Sequence, residues 1–377
     1  MINQQRLLAE FFEMVKIKCS TRAEREVADL IKKRLQSYGG NVTVTEDNTG
    51  EKIGGNCGNI IAYVKGSVAS APVVMFSAHM DCVEPCGGVE PVLKDGIITS
   101  AGNTVLGGDD KAGVVAIMEA LRVAHEQKIP HGDIQIVFTV AEEGGLNGSK
   151  NMDPKALKAD FGYALDSSGI PGKIIVKAPG QNKIEVVVTG KTAHAGLAPE
   201  EGLNAIVLAG KALAAIKEGR IDEETTANIG IIKGGGATNI VPDRVEIICE
   251  ARSRNMAKLE AQTKSMVETF EQVVAANGGK TEISVKKAYG PYVLSENDPV
   301  VKLAAQAGSA VGLPITMEGT GGGSDANFFN SYGVPTAVLA VGMSKVHTTD
   351  EYIKEADLYS TAEWVLELIK QAAALKK

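Results

Sequence analysis

Cysteine is scarce in this chain of 377 residues. Cys19, Cys57, Cys82, Cys86 and Cys249 are an odd, scattered set, which excludes a disulfide framework as the basis of the fold. Long apolar runs are missing too: no stretch reaches the roughly 18 residues a membrane-spanning helix needs. Positive charge is in short supply, with Lys and Arg totalling 39 against 46 Asp and Glu. The formal net charge is −7 and no Lys/Arg-rich run occurs, which excludes a surface built to bind nucleic-acid phosphates. The opening segment is interrupted by Glu10 and Glu13, so no signal-peptide apolar region is expected and a reducing cytoplasm is the expected location. What remains is ample for a folded protein. Apolar residues make up 44% and charged residues 23%, which rules out a disordered or low-complexity chain. At roughly 150 residues per domain, the length predicts two or three domains.

The first forty residues read as two helices. Thr21 and Glu24 suggest a capping box, and Val27, Leu30, Ile31 and Leu35 form an apolar stripe ending at Gly39-Gly40. Short apolar, β-branched runs follow at 59–64, 73–78 and 134–140, with a helical stretch from Lys111 to Gln127 between the last two. Such runs alternating with helices predict an α/β architecture, a largely buried sheet covered on both faces. Near Pro179-Gly180 the pattern changes to strand (183–190), helix (203–217), strand (227–233), strand (244–252), helix (256–276) and strand (281–288). That βαββαβ order is the order of a ferredoxin-like α+β unit. A helix from Asp298 to Val311, a buried strand from Pro335 to Val341 and a closing helix from Ala356 to Leu375 complete the chain. The expected organisation is one α/β domain, 1–179 and 294–377, interrupted by a smaller domain over 180–293.

Histidine is also rare, at five residues, and two of the five adjoin strand ends. His79 stands at the end of a buried run in Ser77-Ala78-His79-Met80-Asp81. Ligands of open α/β sheets bind beyond the carboxyl ends of strands, and Asp81 can reach back to fix the imidazole tautomer. Gly107-Gly108-Asp109-Asp110-Lys111-Ala112-Gly113 precedes a helix. Asp110 reads as an ordinary helix N-terminal charge; Asp109, behind two glycines, is harder to explain by solvation. The buried run 134–140 leads directly into Glu142-Glu143-Gly144. Adjacent carboxylates at a buried strand end require a compensating cation or proton. One can ligate while the other handles a proton. Asp166 ends a further apolar segment, and His347 follows the run 338–341. Two histidines with three carboxylates suit Zn²⁺, Co²⁺ or Mn²⁺ better than Ca²⁺ or Mg²⁺. Five ligands exceed the usual three of one catalytic zinc, which points to two metals sharing a carboxylate.

This ordered set resembles the cocatalytic dizinc metallopeptidase family of peptidase T, aminoacylases, bacterial carboxypeptidases and succinyl-diaminopimelate desuccinylase, and within it the peptidase T-like tripeptide aminopeptidases. The resemblance covers essentially the whole chain. It implies His79 and Asp166 on one metal, Glu143 and His347 on the other, and Asp109 bridging. It also implies that Asp81 orients His79 and that Glu142 is the general base. These roles agree with the chemistry of water activation by two cations followed by proton return to a leaving amine.

The middle of the chain resembles the family's dimerisation, or lid, domain. Thr192-Ala193-His194-Ala195-Gly196 is similar to the family segment whose histidine reaches the partner subunit's active site. Asn239, in Thr238-Asn239-Ile240, and Arg254, in Arg252-Ser253-Arg254, fall in segments that resemble substrate-contacting ones. Arg254 could grip a carboxylate bidentately. A loop histidine and a surface charge are the plainer readings of His194 and Arg254. Gly321-Gly322-Gly323-Ser324-Asp325 resembles the family's glycine-rich substrate loop, whose backbone amides, Gly322 among them, can face a carboxylate. Peptidase T proper has an arginine leading into that loop; Glu318-Gly319-Thr320 stand here instead.

Other features have simpler explanations. Cys82 and Cys86 lack a second Cys/His pair for a structural zinc and read as core or loop thiols. His125 and His131 read as solvated, and Trp364 as packing. The reading that results is metal-dependent hydrolysis of short peptides by a cytoplasmic protein, with a homodimer implied by the resemblance. An N-acyl-amino-acid amidohydrolase or a carboxypeptidase would need the same metal core. A non-catalytic scaffold would have lost a ligand or Glu142, and none is lost.

Overall fold

The computed structural model describes residues 1–39 and 41–376, so the Gly40 end of the expected second helix lies outside them. Contacts divide the chain into two compact units. The first is Met1–Val176 with Leu294–Gly319 and Ser324–Lys377; the second is Lys177–Val293 with Thr320–Gly323.

The first unit is built on a mixed sheet. Its strands run in the order Val42–Glu46, Ile60–Val64, Ile134–Thr139, Val74–His79, Phe161–Ser167, Thr336–Ala340, Lys173–Ala178. The four from Ile134–Thr139 to Thr336–Ala340 are parallel to one another, and antiparallel strands flank them. Val74–His79, Ile134–Thr139 and Thr336–Ala340 are buried at every position. Largely apolar runs satisfy that requirement, because a strand covered on both faces has no solvated side, and the buried Ser77 and Gln135 side chains donate to the Val137 and Ala156 carbonyls. The helix Gly108–Glu126 packs on Val74–His79 and Phe161–Ser167 and against the helices Gln4–Val15 and Glu355–Ala372. It is buried nearly all round, as a helix sandwiched between sheet and helices must be. Gly113 permits the close approach: a Cβ there would lie 2.5 Å from Asp110 Oδ1 and 2.6 Å from the Leu165 carbonyl.

Sequence and structure part company at two places. The Thr21–Glu24 capping box does not form. The helix Arg25–Gln36 has Glu24 at its N-cap with no side-chain cap. Glu24 Oε1 instead accepts from the amides of Arg22 (2.8 Å) and Ala141 (3.0 Å), and Thr21 Oγ1 donates to Asp81 Oδ2 at 2.7 Å. Both side chains serve the region beneath the strand ends. A small sheet of Met343–Ser344, Tyr352–Lys354, Ile97–Ala101 and Glu90–Lys94 was also not foreseen. Its strands are short and Glu90–Lys94 is largely exposed, so no apolar run announced them.

The second unit holds an antiparallel sheet in the order Gly219–Arg220, Thr225–Gly234, Arg244–Ser253, Gly180–Thr189, Lys280–Tyr289. With the helices Ala205–Ala215 and Met256–Ala276, this is the βαββαβ connectivity expected of a ferredoxin-like unit. Alternating inward residues Ile184, Val186, Val188, Val245, Ile247 and Cys249 meet Leu208, Met266 and Phe270 in its core.

Candidate metal centre

The four parallel strands end together, and each leads to a candidate ligand. His79 is the last residue of its strand, Glu142 and Glu143 follow Ile134–Thr139, Asp166 is near the end of Phe161–Ser167, and His347 follows Thr336–Ala340. Asp109 arrives from the start of the helix Gly108–Glu126, where it departs from helical geometry and a cis peptide joins it to Asp110.

Asp109 faces two ways. Its Oδ1 lies 3.0 Å from His79 Nε2, which is also 3.8 Å from Asp166 Oδ1. Its Oδ2 lies 3.3 Å from His347 Nε2, which is 2.9 Å from Glu143 Oε1. Among the described residues, His79, Asp109 and Glu143 form one group that could hold a metal ion, and His79, Asp110 and Asp166 another. The residues read from the sequence as ligands are therefore brought together.

Asp110 is not the solvated helix charge expected of it. It is fully buried, with Oδ2 accepting from the His79 amide and Oδ1 from the Gly113 amide, both at 3.2 Å. Asp81 is also completely buried. The His79 ring sits closer to its main-chain oxygen, 3.0 Å from Nδ1, than to its carboxylate at 3.5 Å. That carboxylate takes the amides of Glu142 (2.9 Å) and Glu143 (3.3 Å), so Asp81 fixes both the imidazole and the acidic turn. Ala141, just before the turn, and His347 both adopt positive φ, 50° and 63°. Such backbone is costly for residues other than glycine and is tolerated where surrounding structure holds it.

Three supporting residues escaped the sequence reading. Glu351, buried, accepts from the amides of Gly107 at 2.8 Å and Asp109 at 2.9 Å. Gly107 has φ +75°, and a Cβ on Gly108 would come within 3.0 Å of Glu351 Oε1. Gly108 thus makes room for this carboxylate, while Gly107 supplies the left-handed backbone before it. Asp325 is buried and accepts from Ser149 Oγ at 2.5 Å and from Thr139 Oγ1. Thr21 on Asp81 is the third. For Glu351 the one sequence signal was its place four residues after His347; Asp325 closes the glycine-rich run 321–325 and Thr21 reads as a helix cap, and neither place signals a supporting role.

The electrostatics call for a cation. Burial pushes the carboxyl groups of Asp110, Glu142 and Asp166 well above the usual carboxylate range, and neighbouring carboxylates add to the effect. Burial disfavours a charge on His79, yet Asp109 and Asp81 beside it raise its pKa well above normal. His347 is pushed up to about 10 by its bonds to Asp109 and Glu143. Glu143 Oε1 is buried without a well-directed hydrogen bond. Protons are thus held where divalent cations would serve better, and an imidazole–carboxylate donor set fits zinc-like ions.

The residues read as substrate contacts lie in the second unit. His194 Nδ1 accepts from the amides of Gly196 and Leu197 at 3.1 Å each, which leaves Nε2 to carry the proton of the neutral ring. The Ala195 amide donates to the Asn239 carbonyl at 2.9 Å. Arg254 Nη2 donates to the Glu223 carbonyl at 2.8 Å, and the Gly322 amide to Thr320 Oγ1 at 3.2 Å. His194, Asn239 and Gly322 are exposed.

The family model described as Peptidase family M20/M25/M40 matches residues 75–371. Among solved structures, aminopeptidase PepT from Bacillus cereus ATCC 10987 is 44% identical, with a TM-score of 0.92 and 99% of each chain covered. A tripeptidase from Staphylococcus aureus is 41% identical, with a TM-score of 0.95 and 100% of each chain covered. The uncharacterized protein YqjE of Bacillus subtilis is 44% identical over 99% of this chain and 100% of its own.

Proposed function

The chain belongs to peptidase family M20/M25/M40, and on that premise we propose that it is a dinuclear metal-dependent aminopeptidase that releases the N-terminal residue of tripeptides. The observation that carries the reading is Asp109, one carboxylate with an oxygen on each of two imidazole–carboxylate groups. The names of the aminopeptidase and tripeptidase relatives support the substrate class.

His79 with Asp166, and Glu143 with His347, would each hold one divalent cation, zinc in preference to cobalt or manganese, with Asp109 shared between them. When bound, the cations supply the acidification of a water and the polarisation of the scissile carbonyl. Glu142 removes the proton from the attacking water and returns it to the leaving amine. A carboxyl whose proton affinity is raised by burial is suited to that exchange. Asp81 holds the His79 ring and the amide of Glu142 in fixed relation.

In the same reading the segment 180–293 is a dimerisation domain. The strand Thr225–Gly234 supports this: among the described residues only Gly219–Arg220 pairs on its outer side, and Ile231 and Ile232 are exposed there. His194, Asn239, Arg254 and Gly322 are the proposed substrate contacts, with Arg254 and the glycine loop suited to a peptide carboxylate. Among the described residues no helix is long and apolar enough to cross a membrane, and a cytoplasmic location is part of the proposal.

The test compares an unblocked tripeptide, its N-acetylated form and an N-acetyl amino acid, using metal-replete protein, chelated protein and Glu142→Ala. Release of the first residue from the unblocked peptide alone is expected. Chelation should abolish it, and Glu142→Ala should lower kcat by on the order of 10²–10⁴ with metal content retained. Cleavage of only the acylated substrates would assign a deacylase or carboxypeptidase instead.

A further inference from the structure

Lys111 lies two residues beyond Asp109, and its side chain is buried. The partners of its Nζ are two sulfur atoms: Cys19 Sγ at 2.6 Å and Cys82 Sγ at 2.7 Å. This is an unusual coordination for a buried amine. Thiols are weak acceptors, and a buried cationic group ordinarily takes carboxylates or carbonyls. The separations are unusual as well. An N–H···O bond is about 2.9 Å long, and the larger sulfur atom lengthens the contact. Both N···S separations are shorter than that, and they are the spacing of a nitrogen and a sulfur bonded to one shared oxygen atom.

The surroundings hold the three side chains together. The Cys82 amide donates to the Cys19 carbonyl at 2.9 Å, and Ser20 and Cys82 form a parallel bridge. Gly107 leaves space for the sulfur, since a Cβ there would lie 3.1 Å from Cys82 Sγ. Cys82 Sγ in turn donates to the Asp109 carbonyl at 3.4 Å. Cys19 and Cys82 are 1% and 3% exposed, so the two sulfurs are shielded from bulk solvent.

We propose that Cys19, Lys111 and Cys82 form an oxidative modification site, at which dioxygen converts the lysine and one of the two cysteines into a covalent Nζ–O–Sγ bridge. The O–O bond breaks; one oxygen becomes bonded to both Nζ and Sγ, and the other leaves as water. Sulfur and nitrogen each give up two electrons, which together reduce the dioxygen. Of the three hydrogens on amine and thiol, two leave in the water and one stays on nitrogen. Four equivalents of an added thiol reverse the change, restoring amine and thiol with one water and two disulfides of the added thiol. The bridge ties the first turn of the helix Gly108–Glu126, next to the proposed metal-bridging carboxylate, to the segments bearing Cys19 or Cys82. It does not depend on the peptidase reading.

The experiment is mass spectrometry of the full chain, purified anaerobically with dithiothreitol and then held in air-saturated buffer. The expected chain gains one oxygen and loses two hydrogens. Trypsin then fails to cut after Lys111, and the peptide containing it is joined to the one bearing Cys19 or Cys82. Dithiothreitol restores the original mass and cleavage. Lys111→Met and the double variant Cys19→Ser, Cys82→Ser should show no such species. Loss of two hydrogens with Cys19 joined to Cys82, oxygen on a sulfur with Lys111 still cleaved, or an unchanged mass after exposure to air would each overturn the proposal. The decisive masses come from the unaltered chain, so a variant that misfolds does not obscure the answer.

Discussion

At Asp109 the carboxylate faces two histidines while the backbone amide is held by Glu351 Oε1. Glu351 Oε2 holds the amide of Gly107, so one buried carboxylate sets the loop from which Asp109 reaches out. Glu351→Ala leaves both amides without their acceptor, at about 1–3 kcal/mol for each stranded group. Metal affinity should fall roughly 10- to 100-fold, the usual consequence of removing support behind a ligand. Denaturant unfolding and competition with a metal indicator measure the two effects; an unchanged metal affinity would remove Glu351 from the account. The sequence made the candidate ligands legible as candidates because each follows a buried apolar run or a glycine pair. It could not reveal Glu351, which meets the Gly107 and Asp109 amides across 244 and 242 positions. Nor could it show that Asp110 turns inward, since an acidic residue at a helix start is ordinarily solvated.

Glu46, the last residue of the strand Val42–Glu46, fastens that strand to the helix Arg25–Gln36. It pairs with Arg25 and with Lys32 Nζ at 2.7 Å. Arg25 and, more weakly, Lys32 hold its carboxyl down to about 2, against an ordinary 4.5. The folded chain therefore keeps Glu46 ionised where the unfolded chain takes up a proton. Its contribution is complete above 4.5 and is lost as pH falls toward 2. Solvent reaches the pair, which trims the contribution to about 1–2 kcal/mol. Unfolding of Glu46→Gln across this range should show the difference from the parent chain near neutral pH and its disappearance in acid. A difference that persists at low pH would assign the contribution to packing. The main elements were readable because strand and helix periods imprint themselves on apolar runs. The capping box was misread because Thr21 and Glu24 are drawn to Asp81 and Ala141, partners distant in sequence. The hairpin Glu90–Lys94 with Ile97–Ala101 carries too few buried residues to leave a pattern.

On the scale of the whole molecule, two units of different construction are strung on one chain. The first gathers candidate ligands where parallel strands end; the second repeats the alternating pattern of a self-contained antiparallel sheet. The switch in pattern near residue 180 was plain in the sequence. The four residues Thr320–Gly323, which belong to the second unit, were not, because a glycine loop has no periodicity to mark its allegiance. The central claim concerns the first unit: two cations share Asp109, and both are needed for hydrolysis. It is tested most directly by adding zinc in known equivalents to chelator-stripped protein while following release of the first residue from an unblocked tripeptide. The account predicts activity that is negligible without metal and levels off at two zinc ions per chain. Full activity in the stripped protein, or a plateau at one ion per chain, would contradict it.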